Sequence, residues 1–289
     1  MNVTVVGAGT MGAGIAGLCA RVEHDVWLRD IDEAILEAAH DRIATTFESA
    51  VERELMTTAE RHEALARVET TTDLGAAADA ADLVVEAVPE KTALKREVHE
   101  EVAASAPEGA TLATNTSSLS VTGIAATLDR PERFVGLHFF NPPHAMDLVE
   151  VVRGERTAKA TERFAVDFVE GLGKVPVIVE DAAGFATSRL GVALGAEAMR
   201  MVEQGVASIP DIDRAMELGY NHPMGPLELT DVVGLDVRLE VLKHLREEIG
   251  ERFRPPQILR RKVRAGKLGK KAGEGFYIWE GGDPVRGTK

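Results

Sequence analysis

Val3-Thr4-Val5-Val6 is a short apolar run followed by glycines, and small and apolar residues then continue from Thr10 to Ala20 without a break. This pattern predicts a strand, a tight turn and a helix. Val26-Trp27-Leu28 predicts a second strand and residues 33–53 a long helix. Leu83-Val84-Val85 and Thr111-Leu112-Ala113 are further short buried strands, with a helix over residues 92–104 between them. Strands that alternate with helices imply a parallel sheet covered on both faces.

From Arg133 the apolar runs come closer together, at residues 134–140, 148–152 and 175–179, the last two separated by a helix over 158–171. Beyond Asp181 no strand is predicted. Residues 187–203, 209–218, 227–249 and 257–263 all carry helical apolar spacing. The expected fold class is α/β: an N-terminal Rossmann-type dinucleotide-binding domain over residues 1–183, followed by an all-α C-terminal domain over residues 184–289.

The composition agrees with a globular chain of two domains. Of 289 residues, 45% are hydrophobic and 28% charged, which is too apolar for disorder. No run approaches the roughly 20 apolar residues that span a bilayer, and strand-like residues from Asn2 leave no room for a signal segment. A cytoplasmic location is expected. The single cysteine, Cys19, excludes an internal disulfide framework and a zinc site built on several thiolates. The histidines lack metal-ligand spacing, so no metal is expected. With 47 acidic against 33 basic residues, the net charge of −14 opposes nucleic-acid and anionic-membrane partners but allows one small anion to bind. The acidic balance fits a salt-adapted host or base composition alone.

Gly7-Ala8-Gly9-Thr10-Met11-Gly12 is a GxGxxG motif directly after a predicted strand and opening a helix, and Asp30 closes the next strand. The glycines allow a tight turn, a close approach of backbone to pyrophosphate and close helix packing, while a carboxylate at Asp30 accepts hydrogen bonds from an adenosine ribose. A carboxylate there repels a 2′-phosphate, so NAD is expected rather than NADP. The ends of later strands carry Glu86 to Glu90, Asn115-Thr116-Ser117-Ser118 and His138-Phe139-Phe140-Asn141-Pro142-Pro143, on the sheet edge where ligands bind in open α/β folds. His138 is the candidate proton-transfer group. Glu150 lies on the following strand, after a connection with two prolines, and a hairpin-like return would bring its carboxylate to the imidazole. Such a carboxylate fixes the tautomer and stabilises the imidazolium, leaving the other ring nitrogen as a base. Spacing alone leaves open the alternative of a satisfied core histidine.

Together with Leu148-Val149-Glu150-Val151, Gly184-Phe185, His222-Pro223-Met224-Gly225-Pro226 and Gly273-Glu274-Gly275-Phe276-Tyr277, these motifs make the chain resemble the L-3-hydroxyacyl-CoA dehydrogenases, including their short-chain 3-hydroxybutyryl-CoA branch. The resemblance runs over nearly the whole chain. It implies reversible, NAD-dependent oxidation of an acyl-CoA substrate in fatty-acid metabolism, with His138 and Glu150 as the catalytic pair, Ser117 between the substrate oxygen and the nicotinamide, and a homodimer formed through the helical domain. It places Gly7, Gly9, Thr10, Met11, Gly12, Asp30, Glu90, Lys95, Asn115, Ser117, Asn141 and Lys271 near the cofactor. Thr46 and Arg53 fall near the CoA nucleotide.

Without the resemblance, Lys95 and Lys271 read as surface lysines. Ser188 stands where relatives carry an active-site asparagine, and a serine there keeps hydrogen bonding with a shorter reach. Pro143-His144-Ala145-Met146-Asp147 departs from the relatives' smaller apolar run and lysine, leaving chain-length preference open. Arg260 to Lys271 holds seven Lys or Arg and no acid. It reads either as a nucleotide-steering patch or as a solvated helix end. Two rivals remain at this point: a sugar-acid dehydrogenase of the L-gulonate type, and a non-catalytic NAD-binding protein.

Overall fold

The structure, a computed structural model, describes residues 1–286. The chain divides into two compact units, Met1–Ala182 and the residues from Ala183 onward. The first unit begins with β1 (Asn2–Val6), buried at every position after Asn2, as a strand covered on both faces must be. There follow α1 (Thr10–Arg21), β2 (Asp25–Arg29), α2 (Glu33–Glu52), α3 (Thr58–Ala66), β3 (Val68–Thr71), α4 (Leu74–Ala78), β4 (Leu83–Glu86), α5 (Thr92–Ser105), β5 (Thr111–Thr114), α6 (Val121–Ala125), β6 (Phe134–Phe139), β7 (Leu148–Arg153), α7 (Lys159–Gly171) and β8 (Val175–Glu180).

The eight strands form one sheet in the order β3-β2-β1-β4-β5-β6-β7-β8. Every neighbouring pair is parallel except β6 and β7. The order reverses between β1 and β4, and the carboxyl ends of those strands bound the crevice where an open α/β sheet takes its ligand. β3 escaped the sequence pattern because Val-Glu-Thr-Thr buries only its valine. Helix α3 carries a readable start signal, a capping box in which Thr57 and Glu60 satisfy each other's backbone N–H.

Helix α1 packs against its own approach turn. A Cβ at Gly12 would lie 1.7 Å from the Gly7 carbonyl oxygen, so only glycine fits there.

The second unit contains α8 (Thr187–Gln204), α9 (Ile209–Tyr220), α10 (Pro226–Val233), α11 (Leu235–Ile249) and α12 (Gln257–Arg264), and then a hairpin of β9 (Ile278–Glu280) and β10 (Asp283–Val285). The helical domain therefore carries a short two-stranded sheet that the sequence pattern did not predict. Residues 227–249, expected as one helix, are two. Gly234 adopts φ 103° and stops α10, while Leu227, Leu235, Leu239 and Leu242 stay buried on either side and keep the apolar period unbroken. Two buried acids fasten this unit. Asp213 accepts from the N–H groups of Leu227 (2.8 Å) and Glu228 (2.9 Å), the start of α10, and from the Tyr277 hydroxyl (2.7 Å). Asp231 accepts from Phe276 N–H and Tyr277 N–H at 2.8 Å each, and from the Trp279 indole at 3.0 Å. A Cβ at Gly225 or Gly275 would stand 2.1 Å from the side chain of Asp213 or Asp231 respectively. The motifs at 222–226 and 273–277 are thus shaped by the acids they enclose. Among the described residues, no helix is long and apolar enough to cross a membrane.

Candidate active site

The glycine-rich turn lies at the switch point of the sheet. Gly7 N–H donates to the Arg29 carbonyl at 2.8 Å, and a Cβ on Gly7 would press within 2.8 Å of the Ala87 backbone beyond β4. A Cβ on Gly9, by contrast, would meet nothing within 4 Å. The open side of Gly9 and the unpaired N–H groups of the first turn of α1, at Thr10 and Met11, suit a pyrophosphate. Asp30 directly follows β2, and its carboxylate accepts from Ala8 N–H at 2.7 Å and Ile31 N–H at 2.8 Å. It therefore braces the turn, and its remaining lone pairs could accept from a ribose. Asp30→Ala is expected to weaken NADH binding roughly tenfold, the effect of losing one hydrogen bond to a charged group, and to narrow the preference for NAD over NADP. Fluorescence titration with both cofactors checks this, and an unchanged ratio would remove Asp30 from the ribose.

Across the crevice, Glu90 collects the loop after β5. One carboxylate oxygen accepts from the Thr116 hydroxyl (2.6 Å), from Ser117 N–H (2.9 Å) and hydroxyl (3.3 Å), and from Ser118 N–H (3.2 Å). Asn115 accepts from Phe139 N–H at 2.9 Å through Oδ1, tying the end of β5 to that of β6. Lys95 is no surface lysine. Its side chain is 1% exposed and its ammonium lies 2.7 Å from Glu86 and 3.3 Å from Glu90.

His138 and Glu150 are direct cross-strand partners in the antiparallel β6–β7 pair. The hairpin-like return expected from the prolines brings Nδ1 to 2.7 Å from the Glu150 carboxylate, with Glu150 fully buried and His138 6% exposed. Directly opposed residues in adjacent antiparallel strands have Cβ atoms about 4.5–5.5 Å apart, close enough for the two side chains to meet. The Phe140 ring packs 4.4 Å from the imidazole.

Beside the crevice, α1, α2 and the loop after β6 enclose a cavity of about 680 Å³. Asn141, Thr46 and Arg53 line it, as do His144, from the segment that departs from the relatives, and two residues that the sequence reading did not single out, Arg21 and Arg42. A signal for Arg42 existed, since it stands four residues before Thr46 and so shares its helix face. Burial, with Lys174, Arg21 and Arg53 nearby, holds the His144 imidazole below its ordinary value. In a chain of net charge −14, this wall collects positive charge.

Ser188 and Lys271 belong to the second unit. Ser188 is the second residue of α8, and Lys271 pairs with Asp236 at 2.6 Å. The basic stretch 260–271 is largely engaged within this unit. Lys262 donates to the Gly275 carbonyl at 2.7 Å and lies over the Phe276 ring, Lys267 pairs with Glu274, and Lys270 lies over Trp279. Arg261 and Arg264 stay exposed. Replacing Lys262 would therefore disturb the fold before it tested steering. Among the described residues, no group of three His, Cys, Asp or Glu could hold a metal.

A Rossmann-type crevice beside a buried His–Glu pair defines the chain as an NAD-dependent dehydrogenase. The family described as 3-hydroxyacyl-CoA dehydrogenase, NAD binding domain, matches residues 2–182, and its C-terminal domain matches residues 184–279. A 3-hydroxybutyryl-CoA dehydrogenase of Mycobacterium tuberculosis is 43% identical over 285 residues, covering 96% of this chain and 98% of that protein. Another from Bradyrhizobium diazoefficiens is 40% identical over 285 residues, covering 98% and 97%. The solved (S)-3-hydroxybutyryl-CoA dehydrogenase of Ralstonia eutropha superposes with a TM-score of 0.93 at 38% identity, covering 96% of this chain and 99% of that one. The chain belongs to the 3-hydroxyacyl-CoA dehydrogenase family.

Proposed function

We propose that the protein interconverts L-3-hydroxyacyl-CoA and 3-ketoacyl-CoA with NAD(H), acting on short acyl chains such as 3-hydroxybutyryl-CoA. The observation that carries the reading is the 2.7 Å contact between His138 Nδ1 and the buried Glu150 carboxylate on the ligand edge of the sheet. Glu150 holds the proton on Nδ1, which leaves Nε2 to take the hydroxyl proton of the substrate, and it stabilises the imidazolium so formed. Gly9, the first turn of α1 and Asp30 would hold NAD⁺, which would supply the acceptor for the hydride leaving C3. Ser117, held through its backbone N–H by Glu90, orients the substrate oxygen toward the nicotinamide side. In the reductive direction His138 returns its proton to the 3-oxygen.

The cavity lined by Arg21, Arg42 and Arg53 supports a CoA thioester over a sugar acid, because a CoA nucleotide carries phosphates that three guanidiniums can meet. Arg53 and Thr46 would then face that nucleotide. Initial rates with acetoacetyl-CoA and with L-gulonate separate the two. Turnover of the sugar acid alone would overturn the reading, and NADH binding without turnover of either would favour the non-catalytic rival. Glu150→Gln is expected to lower the whole pH–rate profile of oxidation by roughly tenfold or more, because the variant no longer stabilises the imidazolium formed when His138 takes the hydroxyl proton. A profile unchanged in position and height would uncouple the two residues.

The same reading puts the enzyme in the cytoplasm and makes it a homodimer. The second unit leaves Leu190, Leu218 and Tyr220 more than 70% exposed, apolar surface of the kind that a second copy covers. Light scattering should report twice the 31.0 kDa chain mass. A fully active monomer at micromolar concentration would refute the dimer.

A further inference from the structure

Lys95 is the largest of the fully buried side chains, and its cation serves no proton transfer in the mechanism above. Its surroundings are made of charge. Glu86, at the end of β4, is 0% exposed and accepts from the Lys95 ammonium, Val88 N–H and the Thr114 hydroxyl, each at 2.7 Å. The Glu86 carbonyl accepts Asn115 N–H at 2.7 Å. His99, also 0% exposed, brings Nε2 to 3.4 Å from the second Glu86 oxygen, and neither of its ring nitrogens is hydrogen-bonded. The Lys95 ammonium also bonds the Val88 carbonyl at 3.3 Å and reaches the free oxygen of Glu90 at 3.3 Å. The charged groups of the cluster are therefore Glu86, Glu90, Lys95 and the titratable His99.

Resting on the function proposed above, we infer that Glu86 and Lys95 are positioning residues: their buried pair holds Glu90 ionised and oriented, and Glu90 in turn holds the Ser117–Ser118 loop against the cofactor crevice. The route is continuous on the page. Glu86 anchors the ammonium, the ammonium faces Glu90, and Glu90 takes the Thr116 hydroxyl and the Ser117 and Ser118 amides on its other oxygen. Glu86 also fixes both sides of the crevice mouth, through Val88 beyond β4 and through Thr114 and Asn115 beyond β5. Burial works against ionisation of Glu90, but the Lys95 cation and the bonds from Thr116 and Ser117 outweigh it and keep the carboxyl below the usual glutamate range. A neutral carboxyl would offer a donor where the loop offers only donors. Breaking a buried pair leaves an uncompensated charge, whereas removing both charges is tolerated far better.

The test compares Lys95→Met, Glu86→Gln and the double variant Glu86→Gln/Lys95→Met with the parent. Parental turnover of acetoacetyl-CoA with NADH checks the function on which the inference rests. The loop itself is read without substrate, by hydrogen exchange at the Ser117 and Ser118 amides, and cofactor affinity by NADH fluorescence. In the double variant, which removes the Glu86–Lys95 charge pair together, those amides should exchange faster and NADH should bind roughly tenfold more weakly, the ratio that about 1.4 kcal/mol gives. The acid limb of turnover should move to higher pH, since Glu90 has lost its cation. Glu86→Gln, which keeps the Lys95 cation beside Glu90, should loosen the loop and weaken NADH binding by less and should not move the acid limb to higher pH. If Lys95→Met alone fails to fold, the double variant still decides. Parental loop exchange, NADH affinity and pH profile in a folded double variant would overturn the inference. An inactive parent would strike the function instead and leave the loop measurement standing.

Discussion

His138→Gln lowers turnover of acetoacetyl-CoA by roughly 100-fold or more, within the range for a positioned acid–base group, while leaving NADH binding near that of the parent. The imidazole stands on β6 opposite Glu150, with Nδ1 on the carboxylate at 2.7 Å. A glutamine at that register can still donate an amide N–H to Glu150, so the buried carboxylate keeps a partner and the strand pair keeps its spacing. It cannot take up or return a proton near neutral pH, which is the step the mechanism assigns to this position. Single-turnover loss of NADH absorbance isolates the chemical step, and fluorescence titration tests cofactor binding separately. Turnover within twofold of the parent would remove His138 from proton transfer. Loss of NADH binding along with turnover would point instead to a damaged fold.

Asp231→Asn unfolds the second unit more readily than any surface change in it, by about 2–4 kcal/mol, because a buried donor left without an acceptor costs about 1–3 kcal/mol each time. The carboxylate accepts three donors, from Phe276, Tyr277 and Trp279. Asparagine is nearly the same size but offers one oxygen and an NH₂ that is itself a donor. Whichever way the amide turns, an N–H faces an N–H in a site where the aspartate is 0% exposed. Gly275 lies too close for the side chain to swing aside. Urea unfolding followed by tryptophan fluorescence reads the effect directly, since Trp279 is one of the donors. A midpoint unchanged within error would show that the three bonds contribute little.

Much of this was legible in the chain itself. Local periodicity and short motifs act over a few residues, and they revealed the β-α alternation of the first unit, the glycine turn with Asp30 one strand later, and the helical character after residue 184. Even the His138–Glu150 pair could be read as a candidate, because an antiparallel return across two prolines leaves few registers. Where a single apolar period continued through a break, as at Gly234, the pattern merged α10 and α11, since buried leucines on either side keep the same spacing whether or not the backbone turns between them. Lys95 read as a surface lysine for a related reason: a charged side chain carries no sign of burial in sequence, and its partners Glu86 and Glu90 are brought to it by the sheet. The arginine wall of the cavity gathers Arg21, Arg42 and Arg53 from two helices, and Asp213 and Asp231 meet their donors from segments 14 to 64 residues away. Sequence by itself determined which elements form and which chemistry they carry, because propensity, period and motif spacing are local. The tertiary structure alone decided which charges are buried, which cations stay exposed to a ligand and which acids hold the helical unit together, because those depend on contacts between residues that the chain keeps far apart.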